Sequence, residues 1–184
     1  MTLTETPICN FGEKAKSFDL LSAANKKISL NDIKGENGTL IMFICNHCPY
    51  VKAVVKDIVE DAKYLETLDI KSVAIMSNDV KNYPEDSFKN MVSFSKLHNF
   101  SFPYLIDETQ KIAKEYGAVC TPDFFGYNKN LELQYRGRIR ELKNLKPVGK
   151  GNSDLRIAMQ LIATSGKGPK NQIPSMGCNI KWFK

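Results

Sequence analysis

Two short apolar runs, LIMFI at residues 40–44 and SVAIM at residues 72–76, flank a segment whose apolar residues recur at helical spacing. An unbroken apolar run of strand length suits a strand buried on both faces. Between the runs, Val51, Val54, Val55, Ile58, Val59, Ala62 and Leu65 fall on one side of a helix. Strand, helix and strand at this spacing make a right-handed crossover that joins two parallel strands. The middle of the chain therefore reads as α/β, and the other elements must add to that sheet or pack on it.

They are legible in outline. Residues 17–33 read as two short strands around a polar turn at Asn25-Lys26-Lys27, a hairpin ahead of the crossover. A helix is expected from Pro84, with Glu85 and Asp86 placed to favour its positive end. Phe88, Met91, Val92 and Ser95 share one side of it. PYLI at 103–106 reads as a strand. Asp107 and Gln110 have capping-box spacing for a helix that Gly117 ends. DFFGY and LELQYRG flank Asn128-Lys129-Asn130 as a hairpin whose second strand has one wet face. After a polar loop over residues 137–152, Ser153 can cap a last helix carrying Leu155, Ala158, Met159 and Ile162, stopped by Gly166. The 184 residues make one domain: an arm at 1–16, a core at 17–165, and a Gly- and Pro-rich tail at 166–184 expected to run extended over the surface.

The formal net charge is +6, but the lysines are scattered and only Arg136, Arg138 and Arg140 cluster. That pattern suits a solvated surface rather than a nucleic-acid platform. No segment approaches the roughly 18 apolar residues of a membrane helix. The first residues show no basic segment followed by an apolar run, so the expectation is a cytoplasmic protein with neither nucleic-acid nor membrane partners.

Five widely spaced cysteines, Cys9, Cys45, Cys48, Cys120 and Cys178, do not suggest a structural disulfide framework. Cys45 falls where the first buried strand ends, and Cys48 in the first turn of the following helix. Side chains three apart on a helical turn have Cβ atoms roughly 5–6 Å apart, and a slight adjustment brings them to the roughly 3.8 Å of a disulfide. A helix N-terminus presents unpaired N–H groups and partial positive charge, which stabilise a thiolate. His47, between the two cysteines, would favour the thiolate further, or else is an exposed loop histidine. A zinc site is the main competitor. It needs four ligands, and the sequence has no second Cys-x-x-Cys and no His-x3-His, only His98 and Cys120 as distant candidates, so neither metal nor cofactor is expected. Two inert buried thiols are the remaining alternative.

Three separated segments carry a resemblance. FICNHCPYV at residues 43–51, VCTPDFF at 119–125 and PSMGC at 174–178 resemble the thioredoxin fold and, within it, the peroxiredoxin-like branch related to alkyl hydroperoxide reductase. The resemblance spans nearly the whole chain. It implies a central mixed sheet flanked by helices, with an N-terminal hairpin extension and an extended C-terminal tail. It also implies a cis Thr121-Pro122 bond facing the dicysteine, with Cys120 close enough to act as a third redox thiol. Two reactions follow from it. In one, Cys45 attacks a protein or small-molecule disulfide and Cys48 resolves the mixed disulfide. In the other, Cys48 attacks a peroxide, Cys45 or Cys120 resolves, and Arg136 or Arg138 stands near the thiolate unless these are merely exposed hairpin charges. A thiol reductant such as thioredoxin or glutathione would restore either. The chain lacks the Pro-x-x-x-Thr-x-x-Cys of the peroxidases. It also has Ile44 where thioredoxins carry a docking tryptophan; its one tryptophan is Trp182. A non-enzymatic thiolate metal binder or redox sensor uses the same pair. Cys9 and Cys178 are expected to be bystanders unless the tail folds back.

Overall fold

The computed structural model describes residues 2–149 and 151–184. In chain order its elements are β1 (Leu3–Glu5), β2 (Asp19–Ser22), β3 (Lys27–Ser29), β4 (Gly38–Phe43), α1 (Pro49–Glu66), β5 (Ile70–Met76), α2 (Phe88–Leu97), β6 (Tyr104–Ile106), α3 (Lys111–Glu115), β7 (Cys120–Thr121), β8 (Asp123–Asn128), β9 (Leu133–Arg136), β10 (Leu142–Lys143), β11 (Lys146–Pro147), α4 (Asp154–Ser165) and β12 (Met176–Asn179). A 3-10 turn at Pro84–Asp86 precedes α2.

Seven strands form one mixed sheet in the order β3-β2-β6-β5-β4-β8-β9. β4, β5 and β6 are parallel neighbours, and β2, β8 and β9 join them antiparallel. Alternation along β4 divides the interior in two. Leu40 and Met42 pack with the apolar faces of α1 and α4, whereas Ile41 and Phe43 pack with Ile112 and Tyr116 around α3. Both faces of the strand are thus covered, as its unbroken apolar run requires. Burying each large aliphatic side chain of α1 contributes about 1.5–3 kcal/mol. Asp61 on the same helix ties α1 to α4 by accepting from the Ser153 hydroxyl and, at 2.7 Å, from Arg156 Nε.

Four local expectations change. The helix expected from Pro84 starts only at Phe88, because Asp86 is drawn out of a helix-terminal role by contacts described below. The capping box does not close. Asp107 accepts from the Ala113 N–H at 2.9 Å, but Gln110 donates to the carbonyls of Ser77 and Lys181 and accepts from the Phe183 N–H. The wet face of β9 is covered: Gln134 bonds the Gly168 N–H, and Gln172 bonds the Arg136 N–H. The covering segment is the tail, which is extended but is not a surface strand. Cys178 and Ile180 are buried, and β12 is the middle strand of a second, three-stranded sheet, β1-β12-β7. The arm and the tail are therefore bound to each other, with Leu3 opposite Cys178.

Candidate active site

The site forms where β4 runs out and α1 begins. Asn46 fixes the corner between them. Its N–H and side-chain amide reach the Asp86 carboxylate at 2.8 Å and the Glu85 carbonyl at 3.1 Å, and its Oδ1 accepts from the Tyr104 hydroxyl at 2.9 Å. Cys48 is the N-cap of α1, and Pro49 follows in the first helical turn, where a missing N–H costs nothing. Cys45 and Cys48 are 1% and 0% exposed.

Their surroundings separate the two sulfurs. Cys48 is lowered from 9.0 to about 5, first by the S–H it receives from Cys45, against burial, and then by the Thr121 side chain and the N–H groups of Val51 and Cys178. The carbonyl of Thr121, 3.1 Å from Cys48 Sγ, accepts a hydrogen bond from the protonated form and so opposes ionisation there, as burial does. Cys45 is pushed well up by donating to Cys48, by burial and by the Asp86 charge. The two environments thus act in opposite directions, favouring ionisation at Cys48 and opposing it at Cys45.

His47 Nδ1 lies 2.7 Å from Asp86 Oδ2 and 3.9 Å from Cys45 Sγ. The bond to Asp86 raises the histidine above its ordinary range. Burial would raise Asp86 in turn, but hydrogen bonds from His47 and Asn78 outweigh it and hold the carboxylate ionised. His47 is therefore neither an exposed loop residue nor a direct partner of Cys48. It belongs to a partly buried ion pair with Asp86 beside Cys45. Ligand atoms of Cys45, His47 and Asp86 lie within 4.8 Å of one another and could jointly hold a cation. Both carboxylate oxygens of Asp86 already accept hydrogen bonds, which a cation would displace. His98 instead caps the end of α2 against Phe94, and does not join this group.

The Thr121–Pro122 bond is cis, and the loop faces the pair. Thr121 meets both sulfurs, with Oγ1 3.4 Å from Cys45 Sγ and its carbonyl against Cys48. Cys120 sits behind the loop. Its thiol points at the Pro122 carbonyl at 3.6 Å, and burial, reinforced by the Asp123 charge, pushes it far up. Arg136 is not an exposed hairpin charge. It is buried against Asp123, with Nη2 at 2.9 Å from the carboxylate, and lies over the Phe125 ring. Arg138 is bound to Asp154 at 2.6 Å. Neither guanidinium contacts Cys48.

Sequence reasoning missed Asp86 and underrated Cys178. Nothing in NYPEDSF distinguishes Asp86 from an ordinary helix-start acid. Cys178 had a signal in the PSMGC segment, but only the fold brings the tail back: the strand seats Cys178 opposite Thr121, and its thiol hydrogen-bonds to Cys48. A cleft of ≈ 360 Å³ opens beside Pro122, lined in part by Tyr50, Val54, Ile139, Ser175 and Met176.

Residues 11–142 match the AhpC/TSA family. The chain belongs to that family. Among solved structures, this AhpC/TSA chain is similar over its whole length to an uncharacterized conserved protein from Geobacillus kaustophilus, with 38% identity, TM-score 0.94 and 97% of that chain covered. A hypothetical protein from Sinorhizobium meliloti is 34% identical at TM-score 0.89, with 97% of each chain covered. More distant likenesses confirm the thioredoxin-like fold. A peroxidoxin, BcpB, from Mycobacterium tuberculosis is 14% identical at TM-score 0.56, covering 67% of this chain and 81% of that one. A secreted disulfide oxidoreductase of the same organism is 17% identical at TM-score 0.54, covering 64% and 80%. No curated protein matches the chain. No helix among the described residues is long and apolar enough to cross a membrane.

Proposed function

We propose that this AhpC/TSA-family protein is a thiol–disulfide oxidoreductase in which Cys48 attacks and Cys45 resolves. The observation that carries the reading is geometric: Cys45 and Cys48 share a buried strand–helix corner against the cis Thr121–Pro122 loop, with Cys48 at the N-cap of α1. This order of attack is an alternative to Cys45 attacking first, and it is favoured here because the helix-start N–H groups favour a thiolate on Cys48.

The Cys48 thiolate attacks one sulfur of a substrate disulfide, forming a mixed disulfide and expelling the other half as a thiolate. With Cys48 no longer charged, Cys45 loses its proton to the departing thiolate and attacks Cys48 Sγ. The Cys45–Cys48 bond forms, and the second half of the substrate leaves and takes up a proton. One disulfide is reduced to two thiols while one dithiol is oxidised, and an external thiol such as thioredoxin or glutathione reverses the state of the protein. The cleft beside Pro122 is lined by neither sulfur. The full burial of both sulfurs argues against a flat protein surface as substrate.

A second reading rests on the same thiolate. Cys48 would attack a peroxide, giving a sulfenic acid and releasing an alcohol or water, and Cys45 would condense with it to a disulfide and water. Against it stand Arg136 and Arg138, both engaged by carboxylates away from Cys48. Side-by-side rates with oxidised glutathione and with hydrogen peroxide decide the matter. Faster oxidation by the disulfide at equal concentration supports the first reading, and faster oxidation by peroxide supports the second.

A further inference from the structure

Two of the five cysteines suffice for the chemistry above, yet a third stands in the same place. β12 approaches β7 so closely that a Cβ on Gly177 would lie 2.1 Å from the Thr121 carbonyl oxygen. Only glycine fits there, and the next residue is Cys178. Its Cα partner across the strands is Thr121, the residue whose side chain and carbonyl meet Cys45 and Cys48. Ser175 fastens the approach from one side by donating to the Pro122 carbonyl at 2.8 Å. Beyond the strand, the Lys181 N–H bonds Asn78 at 2.9 Å, and Gln110 grips the Lys181 carbonyl at 2.8 Å. Cys45, Cys48 and Cys178 lie in one buried cluster.

We propose that Cys178 is a third redox thiol, which takes Cys48 into a Cys48–Cys178 disulfide in competition with Cys45. The proposal rests on the dithiol–disulfide reading of the Cys45–Cys48 pair. Starting from the Cys45–Cys48 bond, the Cys178 sulfur attacks Cys48 Sγ. The bond from Cys45 breaks, a Cys48–Cys178 bond forms, and Cys45 leaves with the proton that Cys178 gives up, with no net oxidation. Starting from a mixed disulfide on Cys48, the same attack releases the substrate half as a thiol and oxidises the protein. In both cases the oxidising equivalent moves from the corner of α1 to the tail strand and leaves Cys45 reduced.

The resting state favours this order of events. Cys178 is pushed up to about 12 by burial and by its hydrogen bond to Cys48, so it stays protonated while Cys48 is a thiolate. Once Cys48 is bonded to another sulfur, the negative charge holding that proton is gone. Lys181, whose charge acts to lower Cys178, remains. Cys120 has no such arrangement, because its thiol points at the Pro122 carbonyl.

The test uses the full chain as wild type, Cys45→Ser, and the double variant Cys45→Ser with Cys178→Ser. Each is reduced, treated with one equivalent of oxidised glutathione, quenched in acid, alkylated and mapped by peptide mass. In Cys45→Ser, glutathione is expected to leave Cys48 at least about ten-fold faster than in the double variant, and a Cys48–Cys178 cross-linked peptide is expected to appear. Persistence of glutathione on Cys48 in Cys45→Ser for as long as in the double variant, with Cys178 alkylated, overturns the proposal. The wild type reports separately on the underlying reading. A Cys45–Cys48 bond there with no cross-link in Cys45→Ser sinks only the role of Cys178, whereas no disulfide at Cys48 in any protein sinks both. If Cys45→Ser does not fold, Cys45→Ala replaces it with the same expected outcomes.

Discussion

Cys48 and Cys120 are both completely buried, and both lie against the Thr121–Pro122 loop, yet their chemistry is opposite. Cys48 drops to about 5 while Cys120 is driven far up. Burial acts on both in the same direction, penalising the thiolate. What differs is the set of groups facing each sulfur. Cys48 also faces a carbonyl, that of Thr121, but it meets in addition the S–H of Cys45, the Thr121 side chain and two backbone N–H groups. Cys120 meets a carbonyl oxygen and the Asp123 charge. A buried sulfur becomes reactive when it is supplied with donors, and proximity to the loop does not supply them.

The strongest way to break this contrast is to remove the charged sulfur. Cys48→Ser is expected to cut disulfide exchange by at least about 10³-fold, read as glutathione released per unit time. An equal loss in Cys120→Ala with Cys48 intact would show that the contrast is misassigned.

A pH profile sharpens it. In the reduced protein, Cys48 alkylation by iodoacetamide is expected to rise through about pH 5, whereas Cys120 stays unmodified below pH 9.0 until the chain unfolds. Because the Cys48 thiol is depressed from 9.0 to about 5, its contribution to the stability of the reduced fold is complete above pH 9.0 and declines as pH falls. Below about pH 5 that contribution is gone. Chemical denaturation of the reduced protein at several pH values measures it.

Asp86→Asn tests the neighbour of the protonated sulfur. The carboxylate accepts from two backbone N–H groups, Asn78 and His47. Its loss is expected to cost about 1–3 kcal/mol of unfolding free energy, measured by chemical denaturation. The His47 titration, followed by NMR, is expected to move down, since the bond to Asp86 is what raises it. An unmoved His47 would detach that ion pair from the site.

Gly177→Ala reaches the donors themselves. The new methyl group meets the Thr121 carbonyl and must push β12 away, at about 1–3 kcal/mol. It withdraws the Cys178 N–H from Cys48, so the Cys48 alkylation midpoint is expected to rise. The smallest effect is expected of Cys120→Ala, with exchange rates changing by less than about two-fold, because a protonated thiol facing a carbonyl contributes nothing to the nucleophile.

The sheet was legible because its signals are local. LIMFI and SVAIM are buried strands, α1 buries the expected stripe, and Ser153 and Gly166 bound α4 as residue type demands. At the site, the dicysteine was legible because two cysteines at a strand–helix corner constrain each other through a single turn. Asp86, Gln110 and Cys178 were not. Each acts across a large gap in sequence, and each had a plausible local role that tertiary contacts overrode: helix-start acid, capping-box partner, tail thiol. Arg136 misled in the same way. An alternating strand predicts a wet side chain, and this one is dry because Asp123, the Gly117 carbonyl and Phe125 take up the guanidinium while the tail lies over the backbone of β9.

Thr121 gives the site a property that no single cysteine has. One residue offers its hydroxyl to Cys45, its carbonyl to Cys48 and its strand register to Cys178. Cys45 and Cys48 are therefore tuned together rather than one at a time, with Cys178 held in register beside them. A bound molecule that moves this one residue would change the acidities of Cys45 and Cys48 together and shift the strand that carries Cys178.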